Sequence, residues 1–207
     1  SLDNSLSKFN GEFLDIGCGK MPYKAYLLER TKIKKYKGID IENALIYDSQ
    51  ITPDVYWDGV KMPFEGSAFD SCMATEGLEH SPNPEILLNE ISRVLKPEGT
   101  FFFTVPFLWY LHEVPYDEYR YTPFALKRHL LNSGKDIQIK SSGGWHSSLA
   151  KILGLWVRRS PMGTINRKIL SRLIRPIMKI LLKRDFIIHN NFIEGQMIPN
   201  LFGTAKK

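Results

Sequence analysis

The residues from Phe13 to Leu27 read FLDIGCGKMPYKAYL, and this stretch decides the fold. Apolar residues typical of a buried strand end at Gly17 and Gly19, and a helical pattern follows. Glycines in such a turn let the backbone approach a ligand closely, and the next helix presents its N-terminus to that ligand. The negative charge of Asp15 would repel a pyrophosphate at this position. The third glycine of the dinucleotide fingerprint is also absent. A cationic ligand gains from the same carboxylate.

The composition is that of an ordinary globular protein. The chain has 207 residues, a length that supports one full hydrophobic core. No apolar run reaches the roughly 18 residues of a membrane-spanning helix, and no signal-peptide pattern is visible. Cys18 and Cys72 lie in predicted core segments and indicate no disulfide framework. We therefore expect a single domain over residues 1–207 in the reducing cytoplasm.

Strand-like and helix-like patterns alternate through about the first 140 residues. The predicted strands are Glu12–Ile16, Tyr36–Ile41, Val55–Asp58, Phe69–Thr75, Thr100–Val105 and Asp136–Ser141. The predicted helices are about Tyr23–Arg30, a segment from Pro84 to the KPEG sequence at residues 96–99, and about Thr122–Asn132. The second and third strands are too close for a full crossover helix, and the terminal NLFGTAKK predicts a final edge strand. This order predicts a mainly parallel sheet with helices on both faces, which binds ligands at the carboxyl ends of its strands.

The positive charge is concentrated in one segment. The chain has a formal net charge of +6, and residues 137–184 contain eleven Lys or Arg and no Asp or Glu. Subtracting 11 from +6 leaves −5 for the remaining residues, so an affinity of the whole surface for nucleic acid is not indicated. We predict a basic helical insertion over about residues 145–190, before the last strand.

From about Gly11 to Ser142 the sequence resembles the class I S-adenosylmethionine-dependent methyltransferases. The segments that carry the resemblance are LDIGCG at residues 14–19, GIDI at 38–41, WDGVKMPFEGSAFD at 57–70, EGLEH at 76–80 and ISRVLKPEGTFFFTVP at 91–106. The resemblance implies a Rossmann-like α/β fold with a sheet of the seven-stranded type. It also implies methyl transfer, with S-adenosylmethionine as cofactor and S-adenosylhomocysteine as its product.

The same resemblance implies which residues hold the cofactor. Asp40 ends the second strand and is expected on the ribose hydroxyls, and Asp58 ends the third strand, where the family holds the adenine. The full expected set is Asp15, Gly17, Cys18, Gly19, Asp40, Ile41, Asp58, Gly59 and Glu76. Taken alone, Asp40 and Asp58 are also typical turn or capping residues. Cys18 is a small packing residue, since no base lies near it in the sequence to make it a nucleophile.

The loop after the fifth predicted strand is the richest candidate for the chemistry. It reads PFLWYLHEVPYDEYRYTP over residues 106–123 and follows a strand end. Methyl transfer to a hydroxyl needs an aligned acceptor, exclusion of water and a base. His112 is the preferred base because histidine titrates near neutral pH, and Glu113 is the second choice. The predicted substrate-binding residues are Tyr116, Tyr119, Arg120 and, after the sixth strand, His146. The alternative is a surface loop whose rings pad the edge of the sheet.

The HEVPYDEYRYTP pattern is similar to one in methyltransferases of bacterial glycan and cell-envelope biosynthesis. That similarity implies O-methylation of a small or lipid-linked saccharide-type acceptor. The alternatives are an N- or RNA methyltransferase and a protein that binds S-adenosylmethionine without turnover. His80 is expected to be structural or to cap a helix. No metal is expected, because His, Asp and Glu are scattered without ligand spacing.

A helical pattern runs through the basic insertion over about residues 165–184. Its basic face consists of Lys168, Arg172, Arg175, Lys179 and Lys183, with Leu170, Leu173, Ile177 and Leu181 opposite. Pro176 is expected to kink or split the helix. Three interpretations stay open: packing on the sheet or on a second copy in a homodimer, an interfacial membrane helix, and RNA binding. Nucleic acid is the least favoured, since no known RNA-binding module is present, and the protein is expected in the cytoplasm or at the membrane periphery.

Overall fold

In the computed structural model, residues 2–42, 52–185 and 188–207 are described. The chain divides into two compact units. Unit 1 comprises Ser1–Val105, His112–Ile139 and Phe202–Lys207, and unit 2 comprises Pro106–Leu111 and Lys140–Leu201. The predicted insertion falls within unit 2, with residues 186 and 187 outside the described ranges. Residues 43–51, which contain most of the short connection predicted between the second and third strands, are also outside them.

The elements follow the predicted alternation. The strands are β1 (Asn10–Ile16), β2 (Lys32–Ile41), β3 (Val55–Trp57), β4 (Phe69–Thr75), β5 (Leu95–Pro106), β6 (Lys135–Ser142), β7 (Ile188–His189) and β8 (Asn200–Lys206). The α-helices are α1 (Lys24–Arg30), α2 (Pro84–Val94), α3 (Pro123–Leu131), α4 (Trp145–Arg159) and α5 (Thr164–Arg184). A 3-10 helix, Leu2–Lys8, precedes β1, and a second one, Leu78–His80, follows β4.

The strands form one sheet in the order β3-β2-β1-β4-β5-β8-β6-β7. β1 pairs in parallel with both β2 and β4, and the pairs β2–β3 and β4–β5 are also parallel. The order of the strands reverses between β1 and β4, so the carboxyl ends of these two strands flank the crevice where such sheets bind ligands. The predicted Rossmann-like α/β fold is confirmed.

The core of unit 1 is aromatic and lies on the central strands. Its buried members are Phe9, Phe13, Leu27, Ile33, Met73, Phe102 and Phe202. The rings of Phe9 and Phe13 meet edge to face with centroids 5.2 Å apart, a favoured aromatic geometry. Central parallel strands are buried on both faces, which explains the continuous apolar run of β5. This packing fixes the strand ends on which the candidate site is built.

One expectation about the C-terminal half was wrong. The terminal strand is not an edge strand, because β8 lies between β5 and β6. The short β7 pairs antiparallel with β6, so that the described strands form an eight-stranded, mainly parallel sheet. Pro176 lies inside α5, which runs from Thr164 to Arg184 without a break, and the expected kink stays a prediction. A proline removes one backbone donor, and the rest of this long helix keeps its own hydrogen bonds.

Candidate active site

The glycine turn after β1 is open and tied to β2. Gly17 and Gly19 have φ values of +65° and +47°, a region that favours glycine. The N–H groups of Gly17 and Cys18 donate to the carbonyl of Ile39, at 2.9 and 3.2 Å. A Cβ built on Gly17 would meet only the Cα of Gly77, at 3.9 Å. The backbone of this turn is therefore accessible to a ligand.

Asp40 joins the end of β2 to the same turn. Its Oδ2 accepts the N–H of Gly19 at 2.9 Å, and its Oδ1 accepts the N–H of Ile41 at 2.8 Å. The pKa of Asp40 is raised, chiefly by burial, with a smaller contribution from the charge of Glu113. Each carboxylate oxygen can accept a second hydrogen bond, so the predicted contact with two ribose hydroxyls is compatible with this geometry.

Asp15 is buried and only half satisfied. Its exposed fraction is 1%, its Oδ2 accepts the hydroxyl of Tyr36, and its Oδ1 has no hydrogen-bond partner among the described residues. Burial raises the pKa of Asp15 to about 7, although the Tyr36 hydroxyl lowers it. A buried carboxylate oxygen without a donor is costly unless a cation or a donor reaches it. The sulfonium and ammonium groups of S-adenosylmethionine suit such an oxygen.

Two other members of the predicted cofactor set have structural partners. The Oδ1 of Asp58 accepts the N–H groups of Val60 and Lys61, at 2.8 and 2.9 Å, which is a turn contact. Gly59 in this turn has a φ of +80°. Burial raises the pKa of the Cys18 thiol, as expected for a packing residue. Adenine contact by Asp58 stays a prediction.

Glu76 begins the loop after β4. It has a φ of +51°, its N–H donates to the carbonyl of Thr104 at 3.0 Å, and its Oε1 accepts the Thr104 hydroxyl at 2.9 Å. These bonds couple the carboxyl ends of β4 and β5. The loop leads directly into the 3-10 helix Leu78–His80, so its geometry sets where the next acidic residue lies.

A second cluster of side chains comes from this 3-10 helix and from the loop after β5. Glu79, His80 and His112 each offer a ligating atom within 4.8 Å of the others. The carboxyl of Glu79 has an exposed fraction of 0%, and burial raises its pKa to about 8. Glu113 lies beside the cluster, with its Oε2 3.5 Å from the Nε2 of His80. The sequence predicted no metal site, yet the fold brings three potential ligands together.

Asp117 and Arg120 fix the position of His112. Oδ2 of Asp117 accepts the backbone N–H of His112 at 3.0 Å and lies 3.2 Å from its Nδ1. The guanidinium of Arg120 donates to both oxygens of Asp117, at 2.6 and 2.7 Å. Hydrogen bonding to Arg120 strongly lowers the pKa of Asp117, which therefore stays ionised. An ionised carboxylate beside Nδ1 favours the tautomer with its proton on that nitrogen.

The predicted substrate-binding residues occupy different positions. Tyr116 has an exposed side chain, whereas Tyr119 donates its hydroxyl to the carbonyl of Pro82 at 3.3 Å. Arg120 makes an ion pair with Asp117, and its predicted binding of a substrate stays a prediction. His146 lies after the sixth strand as expected and is exposed in the first turn of α4, which begins at Trp145 after β6 and two glycines. Its predicted contact with the substrate stays a prediction.

The fold and this site define a class of protein. A structure described as an S-adenosylmethionine-dependent methyltransferase from Archaeoglobus fulgidus is similar, with a TM-score of 0.61 and 18% identity, over 100% of this chain and 90% of that chain. Phosphoethanolamine N-methyltransferase 2 from Haemonchus contortus, in complex with S-adenosyl-L-methionine, has a TM-score of 0.58 and 17% identity, over 97% of this chain and 49% of its own. The class I methyltransferase fold is therefore confirmed.

The sequence comparisons cover part of the chain. Residues 14–103, which are 90 of its 207 residues, match the family model described as a methyltransferase domain. A fatty-acid O-methyltransferase of Mycolicibacterium smegmatis is 28% identical over 97 residues, which are 44% of this chain and 35% of that protein. A sterol 24-C-methyltransferase of Gibberella zeae is 47% identical over 99 residues, which are 42% of this chain and 26% of that protein. The chain thus covers about a third or less of these relatives.

Proposed function

We propose that this protein transfers the methyl group of S-adenosylmethionine to a hydroxyl oxygen of an amphiphilic acceptor, a lipid-linked saccharide or a related hydroxylated lipid. The observation that carries the proposal is the buried Oδ1 of Asp15 beside the open glycine turn, which has no hydrogen-bond partner among the described residues. The loop after β5 contains His112 and Glu113, and the charge of Glu113 contributes to the raised pKa of Asp40. Two of the similar proteins are named for methylation of a fatty acid and of a sterol, which supports an acceptor with an apolar part.

Different residues bind the cofactor and accept the proton of the acceptor. Bound S-adenosylmethionine supplies a methyl group on a positively charged sulfur. Asp15 and Asp40 bind and orient that cofactor, and the buried charge of Asp15 favours the cationic form over the neutral product. In the loop after β5, the pair His112 and Glu113 accepts the proton of the acceptor hydroxyl. Asp117 keeps His112 in one orientation throughout.

The acceptor class is also supported by the surface of unit 2. Within α5, Ile169, Leu173, Ile177 and Ile180 are each at least half exposed, and a spacing of about 3.6 residues per turn places them on one stripe. The basic residues Lys168, Arg172, Arg175, Lys179 and Lys183 are exposed on the adjacent stripe. Ile174 is the buried residue of this helix. An exposed apolar stripe beside a basic one is typical of a helix in the membrane interface.

Contacts between α4 and α5 provide a second feature of the same kind. A groove of about 340 Å³ lies between these helices and is lined by Arg158, Arg167 and Arg175 together with Ile174 and Met178. Guanidinium groups above an apolar floor suit an anionic lipid headgroup. Among the described residues, no helix is long and apolar enough to cross a bilayer. We therefore propose peripheral binding of unit 2 to an anionic membrane surface.

A methyl-transfer assay tests the proposed reaction. Purified protein is incubated with radiolabelled S-adenosylmethionine and three acceptor sets: polyprenyl-phosphate-linked sugars, hydroxylated fatty acids or sterols, and free sugars. Label that appears in a methyl ether of an amphiphilic acceptor supports the proposal, whereas label in a methyl ester identifies a carboxyl acceptor. Label that appears on an amine or on RNA instead identifies an N- or RNA methyltransferase. Cofactor binding without label in any acceptor points to a protein that binds without turnover.

Vesicle sedimentation tests the proposed membrane contact. Each basic residue near an anionic surface contributes about 1 kcal/mol, so at low salt the protein should sediment with anionic vesicles and not with neutral ones. Replacing the five basic residues of the α5 stripe with glutamine should abolish sedimentation without changing the melting temperature. A matched control replaces Lys32, Lys34 and Lys35 of β2, which are also exposed. If the wild-type protein stays in the supernatant while ultracentrifugation shows a dimer, the apolar stripe is a subunit contact.

A further inference from the structure

The carboxyl of Glu79 is buried close to two histidines. Its exposed fraction is 0%, and neither Oε1 nor Oε2 has a hydrogen-bond partner among the residues that the structure describes. A buried carboxylate normally coordinates a cation or accepts hydrogen bonds. Two imidazoles, those of His80 and His112, lie next to it. We propose that Glu79, His80 and His112 bind a divalent first-row transition-metal ion such as Zn²⁺ or Mn²⁺.

Both histidines are held in the tautomer that a metal site needs. The Nδ1 of His80 lies 2.9 Å from the carbonyl oxygen of Tyr116, which can only accept, so Nδ1 carries the proton. The Nδ1 of His112 lies 3.2 Å from the carboxylate of Asp117, closer than the 3.5 Å to the Nη2 of Arg120, so we assign its proton to Nδ1 as well. In both rings the lone pair is then on Nε2. Metal-binding histidines generally donate their other ring N–H to a carboxylate or a backbone carbonyl, and this pair shows one of each.

The distances and the donor set select the kind of ion. The Nε2 of His80 lies 3.9 Å from Oε1 of Glu79, and all three ligating atoms fall within 4.8 Å. Donors that share Zn²⁺ at about 2.0–2.2 Å lie roughly 3.4 Å apart, so a shift of about an ångström completes the site. Two imidazoles and one carboxylate suit Zn²⁺, Mn²⁺ or Co²⁺, whereas Ca²⁺ and Mg²⁺ prefer oxygen ligands alone.

Three protein ligands leave a coordination position for an oxygen from outside the protein. On the proposed function, on which this step rests, that oxygen is the acceptor hydroxyl, whose pKa a bound cation lowers. His112 would then be a ligand through its Nε2, and it would hold the ion rather than accept the proton. Glu113, which lies 3.5 Å from His80, is the group that accepts the proton. The roles of the two loop residues are thereby separated.

Metal titration of the purified protein tests the site without reference to activity. The protein is treated with a chelator and titrated with Co²⁺, followed by visible absorption, and with Zn²⁺ by calorimetry. We expect one equivalent of each ion. Glu79→Gln and His80→Ala should weaken binding by more than the roughly 100-fold that an outer partner costs, and Asp117→Asn by about 10- to 100-fold. His146→Ala, a variant at an exposed histidine of α4, is the matched control and should bind like the wild type.

The outcomes separate the site from the proposed function. Absence of a Co²⁺ band in folded wild-type protein, or equal binding by wild type and Glu79→Gln, overturns the metal site. Binding that follows the expected series supports the site even if no acceptor is methylated, and in that case the proposed function alone fails. Glu113→Gln completes the test. It should keep the Co²⁺ band and lose methyl transfer, whereas loss of the band would make Glu113 a ligand and overturn the three-residue ligand set.

Discussion

Asp15 and Glu79 are two buried carboxylates whose surroundings differ. Asp15 accepts the hydroxyl of Tyr36 and keeps one oxygen without a partner, whereas both oxygens of Glu79 are without one among the described residues. Asp15 lies in β1, one residue before its end, and the glycine turn follows directly in the chain. Glu79 has His80 directly after it in the same 3-10 helix, but it meets His112 only because the loop after β5 approaches that helix. The pattern of an acid followed by a glycine turn is local in the sequence, whereas the cluster around Glu79 needs two separate loops.

The largest effect on the rate of methyl transfer is expected from substitutions in the loop after β5. Glu113→Gln removes the proposed proton acceptor and should lower the rate of methyl transfer by about 10²–10⁴-fold, the usual contribution of a general base. His112→Ala, which removes a ligand of the proposed metal ion, should lower the rate by a similar factor. The cofactor dissociation constant should stay nearly unchanged in both, since neither residue is predicted to bind the cofactor. Stopped assays at saturating cofactor measure the rate, and calorimetry measures the affinity.

If either variant lost as much cofactor affinity as rate, the loop after β5 would also bind the cofactor. The proposed separation between cofactor-binding residues and proton-transfer residues would then be wrong. If only Glu113→Gln slows the reaction, the preference for His112 as base is wrong. If neither variant does, the loop covers the substrate and takes no part in the proton transfer.

The next effect concerns Asp15 and pH. Its pKa in the folded protein is about 7, against roughly 3.9 in the unfolded chain, so the folded state holds the extra proton between these values. The stability that this group contributes is complete below about pH 4 and is lost as the pH rises through 7. Asp15→Asn has no such titration and keeps an oxygen for the Tyr36 hydroxyl. Relative to the wild type, the variant should therefore gain on the order of 4 kcal/mol of unfolding free energy between pH 4 and pH 8.

Urea unfolding of both proteins at several pH values measures this difference. Leu14→Ile, a conservative change beside Asp15 in the same strand, serves as the control and should show no pH-dependent difference from the wild type. Parallel stability curves for Asp15→Asn and the wild type would mean that Asp15 remains ionised in the free protein.

The smallest of these effects is expected at Asp40. If its carboxylate accepts the ribose hydroxyls, Asp40→Ala should weaken cofactor binding by about 1.5–3 kcal/mol, as for hydrogen bonds to a charged group. Asp58→Ala is the matched comparison, because the Asp58 carboxylate makes a turn contact. Equal affinities of Asp40→Ala and the wild type by calorimetry would place Asp40 outside the site. A larger loss in Asp58→Ala would move the main polar contact to β3.

The sequence places Asp15, the glycine turn and Asp40 at the strand ends where the structure has them, because each of these features is local. Asp15 and the glycines occupy one strand and one turn, and Asp40 ends the next predicted strand. The alternation of strands and helices then brings these ends together in the order found in the sheet. The cluster of potential metal ligands was not predicted from the sequence, because His80 and His112 belong to separate loops. Only the pairing of β4 with β5 brings these loops close. The spacing between His112, Asp117 and Arg120 in HEVPYDEYR is the signal that was available for it.

Other misses have equally physical causes. β8 was expected at an edge, yet Leu201, Phe202 and Ala205 are buried, a pattern typical of a central strand. A Cβ built on Gly203 would lie 2.0 Å from the carbonyl oxygen of Gln138, so the close approach of β6 depends on that glycine. The pairing of β7 depends on two residues only, which is too short a pattern for periodicity to detect.

The most direct test of the cofactor site is a calorimetric titration of the wild-type protein with S-adenosylmethionine, S-adenosylhomocysteine and NADH. Two features predict binding of both sulfur compounds at one site. The Oδ1 of Asp15 has no hydrogen-bond partner among the described residues, and the third glycine of the dinucleotide fingerprint is missing. They also predict that the positively charged S-adenosylmethionine loses more affinity than S-adenosylhomocysteine in Asp15→Asn, and that NADH gives no heat. Binding of NADH by folded protein that ignores both sulfur compounds would contradict the assignment of this edge to a sulfonium cofactor.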